Sequence, residues 1–150
     1  VVVVNDADAA GIGELRHGAA KGQTGLVIVT TLGTGIGTAL IHDGVLVPNS
    51  ELGHLEIDGR DAETWAASSI KEAEGLSFKE WSGRLQKYYA HLEALLWPDL
   101  IVVGGGISSK AEKFLPRLEL RTPIVAATLE NAAGIIGAAS LAADLERHPS

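Results

Sequence analysis

Cysteine is absent from the 150 residues, which removes disulfides, thiol chemistry and cysteine-ligated zinc together. Methionine is absent too, and aromatic residues are scarce: three Trp, two Tyr and two Phe. Positive charge is in short supply, with 12 basic residues against 19 acidic ones and a formal charge of -7. That balance argues against a nucleic-acid surface or a binder of anionic membranes. No apolar run approaches the ~18 residues that a membrane-spanning helix needs. No basic-then-apolar leader opens the chain, so a cytoplasmic setting is expected. Glycine, by contrast, is plentiful at 18 residues, and hydrophobic residues reach 46% against 21% charged. The glycines follow no period of three, which excludes collagen and points to many turns. The composition suits one domain with a buried core. Without Met, and opening on Val1-Val2-Val3-Val4, the chain is expected to be a piece of a longer one.

Val1 to Val4 read as a buried strand ending at Asn5-Asp6, and Ala7 to Gly18 as a helix. Asn5 and Asp6 thus fall between a strand's carboxyl end and a helix's amino end, where open α/β sheets bind ligands. Leu26 to Thr31 has the unbroken apolar character of a strand covered on both faces. Residues 36 to 42 form a second strand, and Asp43-Gly44 signals a hairpin into Val45-Leu46-Val47. Residues 48 to 62 are loop-like. Ser77 with Glu80 is a capping box opening a helix to Leu96, with an apolar stripe of Phe78, Trp81, Leu85, Tyr88, Leu92 and Leu95, and Pro98 stops it. Leu100 to Val103 is a short buried strand leading into Gly104-Gly105-Gly106. Ser109 with Glu112 reads as a second capping box, with a helix to about Leu118. Ile124 to Ala127 is a strand and Asn131 to about Glu146 an Ala/Gly-rich helix. The order predicts a mixed β-sheet covered by helices. It is closer to the ribonuclease-H-like half of sugar kinases and actin-like ATPases than to a pure βαβ array.

The glycine loops narrow the chemistry. Gly33-x-Gly35-x-Gly37 breaks the G-x-G-x-x-G spacing and precedes a strand, so a dinucleotide fold fails. Gly13 and Gly18 are five apart, but Ala19 follows where a Walker loop needs Lys. Thr30-Thr31-Leu32-Gly33-Thr34-Gly35 remains, a segment whose amides and hydroxyls can converge on an anion or simply serve a tight turn. Gly104 to Gly106 allow close approach of a ligand at a strand's carboxyl end, with a helix amino terminus expected nearby. Lys110, Lys113 and Arg117 lie at i, i+3 and i+7 of the helix expected there. Such a stripe suits a polyanion or is an ordinary solvated face.

The segments come in a set order: Asn5-Asp6-Ala7-Asp8-Ala9-Ala10, Thr31-Leu32-Gly33-Thr34-Gly35-Ile36-Gly37, Asp43-Gly44, Glu51-Leu52-Gly53-His54, Asp61-Ala62-Glu63 and Gly104-Gly105-Gly106. In that order they resemble the ROK family of sugar kinases and repressors, and within it the branch of actinobacterial polyphosphate glucokinases. The resemblance runs over essentially the whole chain and implies the carboxyl-terminal large domain of such a kinase, residues 1–150. The amino-terminal domain with its first phosphate loop has no counterpart here. It implies phosphorylation of glucose at the 6-hydroxyl, with polyphosphate and/or ATP as donor and Mg²⁺ as cofactor, by a homodimer of the full-length protein. Asp6 would be the general base, with Asn5, Glu51, His54 and Glu63 on the sugar. Thr31, Gly33, Thr34 and Gly35 would form the second phosphate motif, Gly104, Gly105 and Gly106 the nucleotide-side loop. Lys110, Lys113 and Arg117 would be candidate contacts to polyphosphate.

The chemistry of these residue types is consistent with those roles. A sugar offers hydroxyls, which carboxylates, an amide and an imidazole bind in pairs. Phosphoryl transfer needs positioning, charge neutralisation and one carboxylate at the nucleophile. Asp6 by itself reads first as a helix N-cap, a reading that the assembled motifs reverse, and His54 by itself could be a loop residue bonded to a carbonyl. Most ROK members carry three cysteines after the equivalent of His54 and bind zinc there. This chain has none, so neither zinc nor any other protein-held metal is expected. A sugar-sensing regulator, or a non-catalytic sugar-binding fragment, is the alternative function. Regulators of the family usually carry the cysteine loop and often an altered base, whereas this chain has Asp6.

Overall fold

The computed structural model describes residues 5–129. The expected strand at Val1 to Val4 and the expected helix from Asn131 lie outside the described residues. The chain runs α1 (Asp6–His17), β1 (Leu26–Leu32), β2 (Ile36–His42), β3 (Val45–Val47), a 3-10 turn at Leu52–His54, β4 (Glu56–Ile57) and β5 (Arg60–Asp61). It continues with α2 (Glu63–Ala66), α3 (Ser68–Glu74), α4 (Phe78–Leu96), β6 (Leu100–Gly104), 3-10 segments at Gly106–Lys113 and Leu115–Arg117, and β7 (Ile124–Ala126). The main sheet has the order β3-β2-β1-β6-β7. The first three strands pair antiparallel, whereas β1–β6 and β6–β7 are parallel. This is the mixed, helix-covered sheet that the order of segments predicted.

Strand periodicity sorts the core into two layers. Ile28 and Leu32 of β1 and Ile101 and Val103 of β6 face α4, joining Trp81, Leu85, Tyr88, Tyr89 and Leu92. Val27, Val29, Ala39, Ile41, Leu100 and Val102 form the other layer. Gly11 of α1 reaches that layer: a Cβ there would lie 2.9 Å from the Cβ of Ala39. Each fully buried Leu of α4 contributes about 1.5–3 kcal/mol over an exposed one. The Ser77–Glu80 capping box of α4 is present in both directions. The stripe is displaced at its end, where Leu95 is exposed and Tyr89 is buried instead. Tyr89 tolerates that place because its hydroxyl lies 2.7 Å from Thr30 Oγ1, and burial raises its pKa.

The helix expected from Ser109 to Leu118 does not form. Lys110 leaves helical angles (φ -113°, ψ 26°), and Phe114 breaks the segment again at φ -133°. Phe114 is fully buried, its ring 4.9 Å from that of Trp81. Pro116 lacks an amide to continue an α-helical ladder and instead sits in the first turn of the next 3-10 segment. The apolar anchor and the proline outweigh the apparent capping box. Ser109 Oγ instead donates to the Gly106 carbonyl at 3.0 Å.

Candidate active site

The carboxyl ends of β1 and β6, the β1–β2 turn and the start of α1 surround one cavity of about 380 Å³, within the ~300–1,000 Å³ range usual for small-molecule sites. Asn5, Asp6 and Ala7 form one wall, and Thr31 through Thr38 another. Ser50, Glu51 and Glu63 close a third side, with Gly105 and Gly106 at the end. Asp6, Asn5, Glu51, Glu63, Thr31, Gly33, Thr34 and Gly35, all singled out by sequence, therefore share one space.

Local chemistry places each of them. Asn5 is the N-cap of α1: its Oδ1 accepts the Asp8 amide at 2.7 Å. Asp6 is therefore the first helical residue rather than the cap, and its exposed carboxylate is not needed to close the helix end. Glu63 Oε1 accepts the Ile36 amide at 2.9 Å, which fixes that side chain against the glycine turn. Gly35 is required for this approach, because a Cβ there would run into Glu63 Oε1. Gly105, at φ +92°, passes so close to the backbone of Leu32 that a Cβ would collide with its carbonyl. Gly33 and Gly106 have open space where a Cβ would be.

His54 lies beside this wall rather than on the cavity lining. Its Nδ1 donates to Asp61 Oδ2 at 2.8 Å and lies 3.6 Å from Glu63 Oε2. The hydrogen bond to Asp61 raises the His54 pKa above its usual value, and the charges of Asp61 and Glu63 add to it. Asp61 Oδ1 also accepts the Glu63 amide at 3.1 Å. Ligand atoms of His54, Asp61 and Glu63 fall within 4.8 Å of one another, close enough to share a cation. Asp61 already engages His54 Nδ1, so a cation taking that nitrogen would have to displace the proton.

Other expected site residues lie outside this cavity. Gly104 is the buried last residue of β6, opposite Thr31, and does not reach the cavity wall. Lys110, Lys113 and Arg117 are exposed but share no helix face, because the helix that would align them is absent. Lys113 Nζ sits 5.5 Å from the Phe78 ring, and Arg117 lines a separate groove with Lys79, Ser82, Gly83, Gln86 and Glu119.

Sequence reasoning left Asp61, Thr38, Ser50 and Asp8 without roles. Asp61 falls two residues before Glu63, the one local signal available. Thr38, 1% exposed, supports the loop that carries Glu51: its Oγ1 accepts the Leu52 amide at 3.1 Å. Ser50 Oγ lies 3.1 Å from the same Thr38 oxygen and donates to the Thr38 carbonyl at 3.0 Å. Asp8 is fully buried, and its Oδ2 accepts the Asn49 amide at 2.9 Å. Burial pushes the Asp8 carboxyl above its ordinary pKa, while the amides of Asn49 and Asn5 pull it down.

The fold around this cavity is that of the actin-like ATPases, in the form that ROK-family sugar kinases have. A ROK family glucokinase from Streptomyces griseus, solved with glucose and AMPPNP, superposes with a TM-score of 0.80 at 26% identity, over 94% of this chain and 67% of that one. More narrowly, the chain is a homologue of polyphosphate glucokinases. The Mycobacterium tuberculosis enzyme of that name is 52% identical over 139 residues, 93% of this chain and 52% of its own length. An inorganic polyphosphate/ATP-glucomannokinase from Arthrobacter sp. strain KM matches with a TM-score of 0.92 and 60% identity, over 95% of this chain and 56% of that one. The chain thus spans about half the length of these relatives. No protein-family model matches it. Among the described residues no helix is long and apolar enough to cross a membrane.

Proposed function

We propose that the protein carrying this chain phosphorylates glucose at its 6-hydroxyl, with inorganic polyphosphate and/or ATP as donor. The observation that carries this reading is the single cavity in which Asp6, Asn5, Glu51 and Glu63 face the Thr31–Gly37 turn and Gly105-Gly106. In this reading the sugar's far hydroxyls pair with Glu51, Glu63 and His54, and the 6-hydroxyl meets Asp6. O6 forms a bond to the terminal phosphorus, the bond to the leaving phosphate oxygen breaks, and the hydroxyl proton passes to the Asp6 carboxylate. Amides and hydroxyls of the turn, Thr34 among them, hold the phosphate oxygens.

Mg²⁺ belongs to the reading, since it neutralises the donor's phosphates when bound. Hard oxygen ligands suit it, and a carboxylate plus donor phosphates is its usual company. The donor's own phosphate oxygens would hold it, which leaves the Asp6 carboxylate free to take the proton. Zinc has no part here. A homodimer in the cytoplasm, without nucleic-acid or membrane partners, completes the reading. The alternative of a ROK transcriptional regulator rests on fold alone, through a relative at 18% identity with a TM-score of 0.75.

Incubation of the full-length protein with glucose, Mg²⁺ and either ATP or polyphosphate tests the proposal. Glucose 6-phosphate, read by a coupled dehydrogenase, is the expected product with at least one donor. Glucose binding without product from either donor would overturn it and favour a sugar sensor.

A further inference from the structure

Asp6 and Asp8 both lie in the first turn of α1, but residues two apart on a helix face nearly opposite ways. Asp6 lines the cavity. Asp8 points away from it into the interior, where it is 0% exposed. Its Oδ2 accepts the amide of Asn49, a residue held at φ +60°. Asn tolerates that left-handed angle better than most residues but does not favour it. The buried carboxylate holds this bend by accepting its amide.

Beyond Asn49 the chain hangs on a second post, Thr38 of β2, through Ser50 and the Leu52 amide. Glu51 falls between the two posts. Thr38 fixes the loop to the sheet, whereas Asp8 fixes it to the same helix turn that carries Asp6. Among the described residues Asp8 Oδ1 is enclosed as well and meets no hydrogen-bond donor. A carboxylate with one oxygen unsatisfied is a costly way to fill space. A residue that served packing alone would be apolar.

We propose that Asp8 is a positioning residue that sets Glu51 in register with Asp6, through its hydrogen bond to the Asn49 amide. The inference rests on the kinase reading for its catalytic meaning, since it ties the grip on the sugar's far hydroxyls to the group at the reacting one. Asp8 touches neither substrate nor donor. It acts through the loop, and the hydrogen bond rather than the charge is what matters.

Asp8→Ala and Asp8→Asn in the full-length protein separate these statements. The Asn variant keeps an acceptor for the Asn49 amide, and its NH₂ replaces the oxygen that has no partner. Asp8→Ala is expected to raise the KM for glucose about tenfold or more while the donor KM stays within about twofold. Asp8→Asn should hold both constants within about threefold of wild type. An Ala variant with unchanged glucose KM, or with both KM values raised alike, would overturn the inference, as would an Asn variant as impaired as the Ala one.

Hydrogen exchange supplies a readout that does not depend on catalysis. Amides 49 to 52 should exchange about tenfold faster in Asp8→Ala than in wild type, and at the wild-type rate in Asp8→Asn. If the wild-type protein ignored glucose, the kinase reading would fall, and the exchange data would still decide whether Asp8 holds the loop. Unchanged exchange in the Ala variant would refute that hold.

Discussion

Gly35→Ala sets two effects of opposite sign against each other. Gly35 has no positive φ that would penalise a side chain. Replacing a glycine with alanine at a compatible position stabilises by about 0.4–1 kcal/mol, through loss of freedom in the unfolded chain. Here the new Cβ would run into Glu63 Oε1, the oxygen that accepts the Ile36 amide. Glu63 must swing aside, and a hydrogen bond to a charged group, worth about 1.5–3 kcal/mol, is lost. The net expectation is a loss of about 1–2 kcal/mol, since the second effect is the larger. At about 2–4 °C per kcal/mol for a chain of 150–250 residues, the melting temperature should fall by about 2–8 °C. The same displacement takes Glu63 off the cavity wall, so the KM for glucose should rise about tenfold. Calorimetry and initial-rate kinetics on the full-length protein read both. In a Glu63→Ala background the clash is gone, and Gly35→Ala should then be neutral or stabilising by up to about 1 kcal/mol. A melting temperature that is unchanged or higher in the single variant, with unchanged KM, would show that Glu63 does not occupy this place.

Asp6→Asn should lower kcat by about 100-fold or more if Asp6 takes the proton; a change under about threefold in the coupled assay would sink that role. The raised pKa of His54 makes it titrate above the ordinary value of about 6.5 in an NMR pH series. Asp61→Asn should return it toward that value, and an unmoved midpoint would refute the pairing. Because folding raises this pKa, the pair's contribution to stability is complete below the unfolded value and is lost as pH rises through the folded one. Ser77→Ala should cost about 0.5–2 kcal/mol by breaking the α4 capping box, measured by denaturant unfolding. No loss would mean that the Glu80 half of the box suffices.

Most of the architecture was legible because its signals were local. The run Leu26 to Thr31, the Asp43-Gly44 turn and the Ser77–Glu80 box each specify an element within a few residues. The misreadings have a different origin. Ser109 and Glu112 have the spacing of a capping box, but the burial of Phe114 against Trp81 and the block at Pro116 decide that segment. No window around Ser109 contains Trp81. Leu95 likewise continues the stripe of α4 by spacing, yet it is left exposed among the described residues. The residues that face the cavity were readable through the ordered motifs. Asp8, Thr38 and Asp61 were given no role, because each acts by holding another residue across a gap that only folding closes.

That division follows from what a sugar site requires. Groups that bind hydroxyls must meet solvent when the cavity is vacant, so Asp6 and Glu51 are exposed and cannot be fixed by packing around their own tips. Precision has to come from behind them. Strand β2 supplies much of it: the Ile36 amide holds Glu63, the Thr38 hydroxyl holds the Glu51 loop, and Ala39 contacts α1 at Gly11. Alternation along the strand makes this possible, since Ile36 faces the α4 layer and Ala39 the opposite one. One strand thereby registers Glu63, the Glu51 loop and α1 against each other. A shift of β2 by a single residue would exchange its faces and scatter all three. The antiparallel pairing of β1 with β2 from Leu26↔His42 to Leu32↔Ile36 prevents that shift, which makes the β1–β2 register a condition of the chemistry as much as of the fold.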